Sequence, residues 1–459
     1  MTTAPSRAPA ETFVSRLIRH DGRAPRYTSY PTALQFTSEV DGEVYGEWLA
    51  ALDPAEPVSL YAHIPFCDRL CWYCGCNTRV VRKSALISEY VDLLVEELVL
   101  VEARLPGKIR AGAVHLGGGT PNMLSLDDLV KLFGALRHAF PFAPGARISA
   151  ELDPAVLTER WVRAAAYHGL TRASLGVQDL APHVQAAVNR SEPFSVVARA
   201  VHWLRQAGVG SINLDLMYGL PRQTTADVIA TLDQVLTLRP ERIALFGYAH
   251  VPWARPHQKL ILDADLPGAE ARLDQSQAAA ERLARAGYVA IGLDHFALPG
   301  DDLALAAGRG ALRRNFQGYT TDPHPTLIGL GASSIGRFRQ GYVQNIPTEA
   351  AWRAAVQDGR LPVARGVALT DDDRLRADVI ERLMCDFAVD LAAVAARHGV
   401  SSHVFAEDLA KLESLKADGV VAVEGERVSV AEAARPFVRL VAQAFDHRSE
   451  TQTGFSRVI

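Results

Sequence analysis

An α/β chain, with parallel strands in a partial (βα)6 barrel and a small, mainly helical, winged-helix-like unit after it, is the fold this sequence predicts. Two observations carry the prediction. From residue 58 onward, the β-rich runs SLYAHIP, AVHLGG, RISAEL, RASLGV, SINLDLMYG and RIALFGYAH are each followed by a helical pattern, the alternation of parallel βα units. The residue types that carry chemistry then fall at the ends of these runs: cysteines after the first, GGGTP after the second, Glu151 and Asp153 after the third, Gln178 after the fourth and Asp215 after the fifth. In a parallel barrel the carboxyl ends of the strands share one face, so these groups converge on one site.

Taken in order, residues 1–57 read as an N-terminal extension covering the site, and 58–340 as the barrel with a substrate-site extension. The strand runs are continuous and apolar, as in a sheet covered on both faces. Leu93, Leu94, Leu98 and Val101 recur near the helical period and predict a helix over 85–105. Scattered Pro and Gly mark 341–369 as a connector, and 370–459 as a separate C-terminal unit. There Thr370, before Asp371, Asp372 and Asp373, reads as an N-cap with acids in the first turn. Leu375, Val379, Ile380, Leu383 and Phe387 mark an apolar face, with Cys385 a core residue, and GVVAVEGERVSV reads as a hairpin turning at Glu424 and Gly425. Acids crowding the first helix argue against DNA binding and for packing on the barrel.

With 459 residues the chain can bury a large core. Its 48 basic and 52 acidic residues leave no overall field to hold nucleic acid or an anionic membrane, so an anionic ligand must be held locally. No window approaches eighteen consecutive apolar residues, and MTTAPSRAPAETFVSRLIRHD lacks an apolar signal-peptide centre. The expectation is a cytoplasmic monomer with reduced thiols, without membrane or nucleic-acid partners.

Four of the five cysteines, Cys67, Cys71, Cys74 and Cys76, lie in HIPFCDRLCWYCGCN. Three thiolates spaced CxxxCxxC can hold three irons of a [4Fe-4S] cube and leave the fourth iron free to bind a small molecule. The alternatives are zinc, which usually takes ligand pairs a dozen or more residues apart, and a disulfide, which suits short cysteine-rich secreted scaffolds.

With CxxxCxYC directly after a strand, the chain resembles the radical S-adenosylmethionine (SAM) superfamily. Through YAHIPFCDRLCWYCGCN, RYTSYPTA at 26–33, GGGTPNML at 117–124, ELDP at 151, GVQD at 176, NLDLMYGLP at 213 and NFQGYTT at 315, it is more narrowly similar to the oxygen-independent coproporphyrinogen III oxidases. That resemblance implies a radical SAM partial barrel, one [4Fe-4S] cluster and two SAM molecules. It further implies oxidative decarboxylation of two propionates of coproporphyrinogen III to vinyl groups in haem synthesis, through a 5′-deoxyadenosyl radical. A reducing electron donor and a terminal electron acceptor are then required, and the sequence names neither.

The resemblance also assigns residues. Cys67, Cys71 and Cys74 become the cluster ligands, and Gly118, Gly119 and Thr120 the loop contacting the SAM amino group. Glycines there let a ligand approach the backbone, a tight turn being the plain alternative. Positions matching Tyr61, Tyr73, Glu151, Gln178, Arg190, Asp215, Ala249 and Ile335 line the SAM sites. Glu151 suits an ammonium, Arg190 a carboxylate and Asp215 a ribose diol, although charges near strand ends commonly pair with one another. Core packing is the ordinary reading of Tyr73 and Ile335.

For substrate chemistry the candidates are Tyr61, His63, Cys76 and Gln317, with His295 a second histidine able to move protons. Cys76, two residues after Cys74, is awkwardly placed to cap the same cube and reads as a pocket residue. Arg26, Arg313, Arg314 and Arg337 are candidates for the substrate carboxylates, to which a guanidinium donates two bonds. A related group of haem-binding chaperones is the rival reading. That group typically has an aromatic residue at the position of Cys76 and lacks RYTSYPTA, and this chain has both features of the oxidases.

Overall fold

The six β-rich runs become parallel strands standing in chain order: β1 (Val58–Ile64), β2 (Ala111–Gly118), β3 (Phe142–Leu152), β4 (Leu170–Gln178), β5 (Ser211–Tyr218) and β6 (Arg242–Gly247). This arrangement is that of a computed structural model, which describes residues 13–448 and 455–458. Helices α1 (Ser84–Glu102), α2 (Leu126–Ala139), α3 (Glu159–Tyr167), α4 (Phe194–Gln206), α5 (Thr225–Leu236) and α6 (Ala269–Arg285) follow the successive strands. Beyond β6 come antiparallel β7 (Val289–Ile291) and β8 (His295–Ala297). On the other side, β9 (Leu327–Leu330) runs parallel to β1 and leads to antiparallel β10 (Ile335–Arg337), β11 (Gly341–Asn345) and β12 (Val363–Ala368). The twelve strands run in the order β12-β11-β10-β9-β1-β2-β3-β4-β5-β6-β8-β7, an open sheet.

The strands are not apolar on both faces, as their composition suggested; they alternate. Leu60, Ala62 and Ile64 of β1, Ile148 and Ala150 of β3, and Ile212 and Leu214 of β5 join the core shared with the helices. The residues between them face inward, where the curled sheet encloses a cavity of about 560 Å³ touched by Ser59, His115, Glu151, Ser174, Asp215 and Phe246, one from each of β1–β6. A strand with one packed face and one face on a polar cavity needs period-two patterning, which β1 shows as Leu60, Ala62 and Ile64 alternating with Ser59, Tyr61 and His63.

Residues 341–369, expected as a connector, form the outer edge of the sheet. β11 and β12 enclose a helix, Glu349–Gln357, and a buried carboxylate ties this edge to the barrel. Glu97 of α1, 1% exposed, accepts bonds from the Gly331 amide (2.8 Å), Asn345 Nδ2 (2.6 Å) and Trp352 Nε1 (3.0 Å). Burial pushes its carboxyl up to about 7 against these three donors.

The C-terminal unit begins with α7 (Asp371–Asp386), whose N-cap Thr370 forms a capping box with Asp373. Strands Ala388–Asp390, Arg427–Val430 and Val421–Glu424 stand in that order as a small sheet. Its hairpin turns through Gly425 and Glu426, one residue later than the sequence suggested, since Gly425 takes a φ of +61°. Cys385 is buried in α7. The N-terminal segment lies on this unit: Leu17, Tyr27 and Tyr30 enter its core, and Tyr27 Oη donates to Asp446 Oδ2 at 2.9 Å. No helix among the described residues is long and apolar enough to cross a membrane.

Thr370→Ala removes the side-chain acceptor for the Asp373 amide and is expected to cost about 1 kcal/mol, read as a lower urea midpoint at unchanged slope.

Candidate active site

Between β1 and α1 the chain makes a loop with little regular structure, a two-residue pairing of Phe66–Cys67 with Arg79–Val80. Its backbone is satisfied from far along the sequence. Asn189 Nδ2 donates to the Leu70 carbonyl at 2.8 Å, Gln258 Nε2 to Tyr73 at 2.9 Å, and the Trp72 amide to Val188 at 3.0 Å. His257 Nε2 and His63 Nε2 lie 2.7 and 2.9 Å from the carbonyls of Cys74 and Asn77. These bonds replace the ladder that a strand or helix would supply.

The loop presents Cys67, Cys71, Cys74 and Cys76, all free thiols. Thr120 Oγ1 donates to Cys67 Sγ (3.5 Å), Arg190 Nη1 to Cys71 Sγ (3.6 Å), and the Cys76 amide to Cys74 Sγ (3.4 Å). Burial pushes Cys67 up to about 11, and a bond from the Cys76 thiol brings Cys74 down to about 6. Among the described residues no three Cys, His, Asp or Glu side chains converge on a position for a single metal ion. An iron–sulfur cube takes one thiolate per iron, so its ligands spread over a larger body, and donors aimed at sulfur stabilise the charged form.

β2 ends against this loop. A Cβ on Gly118, at φ +108°, would sit 2.4 Å from the His63 ring, and one on Gly119 would sit 2.6 Å from the Phe66 carbonyl. Thr120 follows, buried. The Gly118 amide donates to Glu151 Oε2 at 3.0 Å, and His115 bridges Glu151 Oε1 (3.3 Å) and Ser149 Oγ (2.6 Å). Burial opposes the charge on Glu151, but His115 and the Gly118 amide outweigh it and hold the carboxyl below its usual range. Tyr61 stacks on His115 with ring centres 5.8 Å apart, and its Oη lies 3.0 Å from His63 Nδ1. Burial favours neutral His63, so Nε2–H donates to Asn77 and Nδ1 accepts from Tyr61.

Asp215 accepts from Ser174 Oγ and Asn213 Nδ2, both at 2.7 Å, and burial pushes it up to about 6. Glu151 and Asp215 lie inside their strands rather than after them. Gln178 ends β4 at φ +69°, a left-handed conformation rare for a residue with a side chain. Arg190 is buried between Asp153 (3.3 Å) and Glu192 (3.2 Å) beside Cys71.

The other candidates divide. Gln317, in the turn of the hairpin Arg313–Asn315/Gly318–Thr320, lines the barrel cavity with Glu151 and Asp215. Tyr73 packs against the cluster containing Val184, Leu220 and Tyr248, Ala249 follows β6, and Ile335 on β10 packs on the cluster of Phe36 and Tyr342. His295 Nδ1 lies 2.7 Å from Asp294. Arg26 and Arg314 face a cavity beside Tyr218 and Gly247, at the ends of β5 and β6. Arg313 and Arg337 face a different cavity, against α7, which Arg314 also lines; there Arg313 pairs with Glu381 at 2.9 Å and Arg337 donates to the carbonyls of His324 and Pro325. The sequence reading missed His115, whose position two residues before Gly117 marks it as inward-facing. It also missed Ser174 and Asn213, which the same alternation places on the inward face with Asp215, and His257 and Gln258, for which no local pattern exists.

A loop of thiols at the mouth of an open parallel barrel, against a glycine-ended second strand, defines a radical SAM protein, and residues 61–235 match the Radical SAM superfamily. Residues 369–437 match the HemN C-terminal domain. The chain is 47% identical over 424 residues to the oxygen-independent coproporphyrinogen III oxidase of Bradyrhizobium diazoefficiens, spanning 92% of this chain and 94% of that one. To the enzyme of that name from Salmonella typhimurium it is 39% identical over 445 residues, 96% and 97% of the two chains. Its fold is similar to the solved coproporphyrinogen III oxidase (HemN) from Escherichia coli, a radical SAM enzyme, with a TM-score of 0.88 and 38% identity over 92% of this chain and 97% of that one. The chain belongs to the oxygen-independent coproporphyrinogen III oxidase family. As a radical SAM enzyme it uses a [4Fe-4S] cluster and SAM, and the free thiols with their sulfur-directed donors fit the cluster.

Gly119→Ala is expected to push the Phe66 carbonyl away and misplace Cys67, lowering iron and sulfide content after reconstitution below that of the parent protein.

Proposed function

We propose that the chain decarboxylates two propionates of coproporphyrinogen III oxidatively to vinyl groups, giving protoporphyrinogen IX without oxygen, with Cys67, Cys71 and Cys74 holding the cluster. The observation that carries this reading is the three-thiol loop at the mouth of a polar-lined barrel, in a chain alike nearly end to end to enzymes of that name. The relatives reported above speak for the oxidase over the haem-chaperone reading. Bound there, the cluster and SAM supply a carbon-centred radical able to take hydrogen from an unactivated C–H bond.

The protein's own residues bind, orient and exclude water. Arg190 keeps Cys71 beside a cation, and its partners Asp153 and Glu192 fix that cation in place, so its part is to support the cluster more than to hold a carboxylate. Gly118, Gly119 and Thr120 bring backbone against the loop, leaving room for the amino-acid end of SAM. Glu151 is held charged and suits the SAM ammonium; Asp215, already accepting two bonds, offers its remaining lone pairs to a ribose. Tyr61, Tyr73, Gln178, Ala249 and Ile335 complete the walls, and a second SAM is assigned to the same face.

Gln317 lines the barrel cavity from the hairpin and is assigned to the substrate, as are Tyr61 and His63, which bond to each other at 3.0 Å. Cys76, exposed and bonded to Cys74, tunes that thiol from its own loop. Electrons enter from a reducing donor and leave to a terminal acceptor. Cytoplasmic placement and a monomeric state complete the proposal.

Anaerobic reaction of the reconstituted protein with reductant, SAM and coproporphyrinogen III is expected to give protoporphyrinogen with about two 5′-deoxyadenosines per tetrapyrrole, one per propionate. SAM cleavage without protoporphyrinogen would overturn the reading. Cys71→Ser is expected to abolish the visible absorbance of the cluster; full retention removes Cys71 from the ligand set. Burial raises the folded Asp215 carboxyl to about 6, so its charged, acceptor-only form is present above that pH and lost below it. SAM affinity is therefore expected to fall as pH drops through about 6, and Asp215→Asn to flatten that dependence.

A further inference from the structure

We infer that the cavity of about 370 Å³ beside the ends of β5 and β6 anchors carboxylates of the substrate, and that Arg272 and Arg439 form this anchor together with Arg26 and Arg314. The identity of the ligand rests on the decarboxylase reading above; the anion site itself does not.

The four guanidiniums come from four separate parts of the chain: the N-terminal segment, α6, the hairpin strand Arg313–Asn315 and the helix Val438–Ala444. Of the four, Arg314 and Arg439 are buried, Arg272 is half-buried and Arg26 is exposed. The other buried arginines of this protein are matched by carboxylates, Arg190 by Asp153 and Glu192, Arg242 by Asp301, and Arg376 by Asp408. Among the described residues these four have no such ion pair and donate to carbonyls instead. Arg26 reaches Gly247 O at 3.0 Å, Arg272 reaches Tyr248 O at 2.8 Å, Arg314 reaches Arg26 O at 3.4 Å, and Arg439 reaches Pro25 O at 3.0 Å. Arg272 Nε and Arg314 Nε and Nη1 are buried without a hydrogen-bonded partner among the described residues, and the Arg314 guanidinium lies over the Tyr319 ring, 4.3 Å from its centre.

One carboxylate, Asp294, faces Arg26 and Arg314, and it is shared with His295. Glu281 and Glu432 also line the cavity, but both are exposed and lie close to further arginines, Glu281 to Arg285 at 3.0 Å and Glu432 to Arg435 at 4.0 Å. Like charges gathered in a protein wall are costly unless a counter-ion arrives. Burial, and then the charges of Arg26 and Arg314, push Arg439 down to about 9. A polycarboxylate supplies the missing charge, and planar guanidiniums offer carboxylates paired donors. The cavity wall at Gly247 and Tyr248 immediately precedes Ala249, so an anion held here lies beside the barrel mouth.

Two carboxylate sources are available, the propionates of the tetrapyrrole and the single carboxylate of SAM, and binding measurements separate them. Reconstituted enzyme is titrated anaerobically with fluorescent coproporphyrin III, its tetramethyl ester and SAM, and turnover is measured in parallel, for the parent and for Arg26→Gln, Arg272→Gln and Arg272→Lys. Arg439 is left intact because it also holds the N-terminal segment. Cluster absorbance and melting temperature check that each variant is folded.

The expected result is coproporphyrin binding weakened about 10- to 100-fold in each Gln variant, with KM raised more than kcat is lowered. Part of the affinity should return in Arg272→Lys, SAM affinity should stay as in the parent, and the ester should bind all proteins weakly. Equal affinity of acid and ester, or a loss confined to SAM, overturns the assignment. Parent-like affinity in both Gln variants, with the parent turning over, overturns the cavity and leaves the function standing. Arginine-dependent binding without turnover by the parent overturns the function and leaves the cavity standing.

Discussion

The cysteine loop has no ladder of its own, and the rest of the molecule is arranged to supply one. Between β1 and α1 its carbonyls are met by His63 from β1, Asn189 from the turn after β4, and His257 and Gln258 from the segment after β6. A loop satisfied from three places is fixed only when those places are fixed, and the open sheet does that. His63 stands near the end of β1, Asn189, His257 and Gln258 on the segments that follow β4 and β6, and the strands are held at one register by their parallel pairing. Fold and thiol geometry are therefore one constraint, since a shift of one strand would withdraw a donor from the loop.

The inner face of the barrel obeys a second demand. Its polar groups are removed from bulk water, so each needs a partner. Tyr61 bonds to His63, and His115 to Ser149 and Glu151, across three neighbouring strands, while Ser174 and the Asn213 amide nitrogen donate to Asp215 across two more, leaving Asn213 Oδ1 without a partner among the described residues. The result is a lining positioned before any ligand arrives, with Glu151 held charged and burial pushing Asp215 up to about 6. Preorganisation of this kind lets binding energy go into position rather than into reorganising the site.

Much of this was legible in the sequence, because the signals are local. The alternation of β-rich and helical runs located all six barrel strands, and the spacing of Cys67, Cys71 and Cys74 pointed to a cluster before any fold was known. Thr370 announced the start of α7 by its side chain alone. What stayed hidden was non-local. Residues 341–369 looked like a connector because β11 and β12 gain their identity only by pairing, and because Glu97, some 250 residues earlier, supplies the acceptor that anchors them. Arg313 and Arg314 are adjacent in sequence and indistinguishable by composition. Strand alternation sends one to Glu381 and solvent and the other into the guanidinium cluster. Arg272 and Arg439 drew no notice for the same reason, each being an ordinary arginine on an ordinary helix until the chain closes around them.

The N-terminal segment carries a consequence for assembly. The Ala24 amide bonds to Ser456, the Val458 amide bonds to Gly22, and Arg439 grips the carbonyls of Ala24 and Pro25. Residues 22–25 are thus fastened in part by residues 439–458, while strands β1–β6 and the His63, Asn189, His257 and Gln258 donors to the cysteine loop lie before residue 260. In synthesis from the N-terminus the thiol loop is complete long before Arg26 can be fixed over its neighbour Gly247. The cysteine loop can therefore reach its bonded form while residues 22–25 still lack their clasp from Arg439.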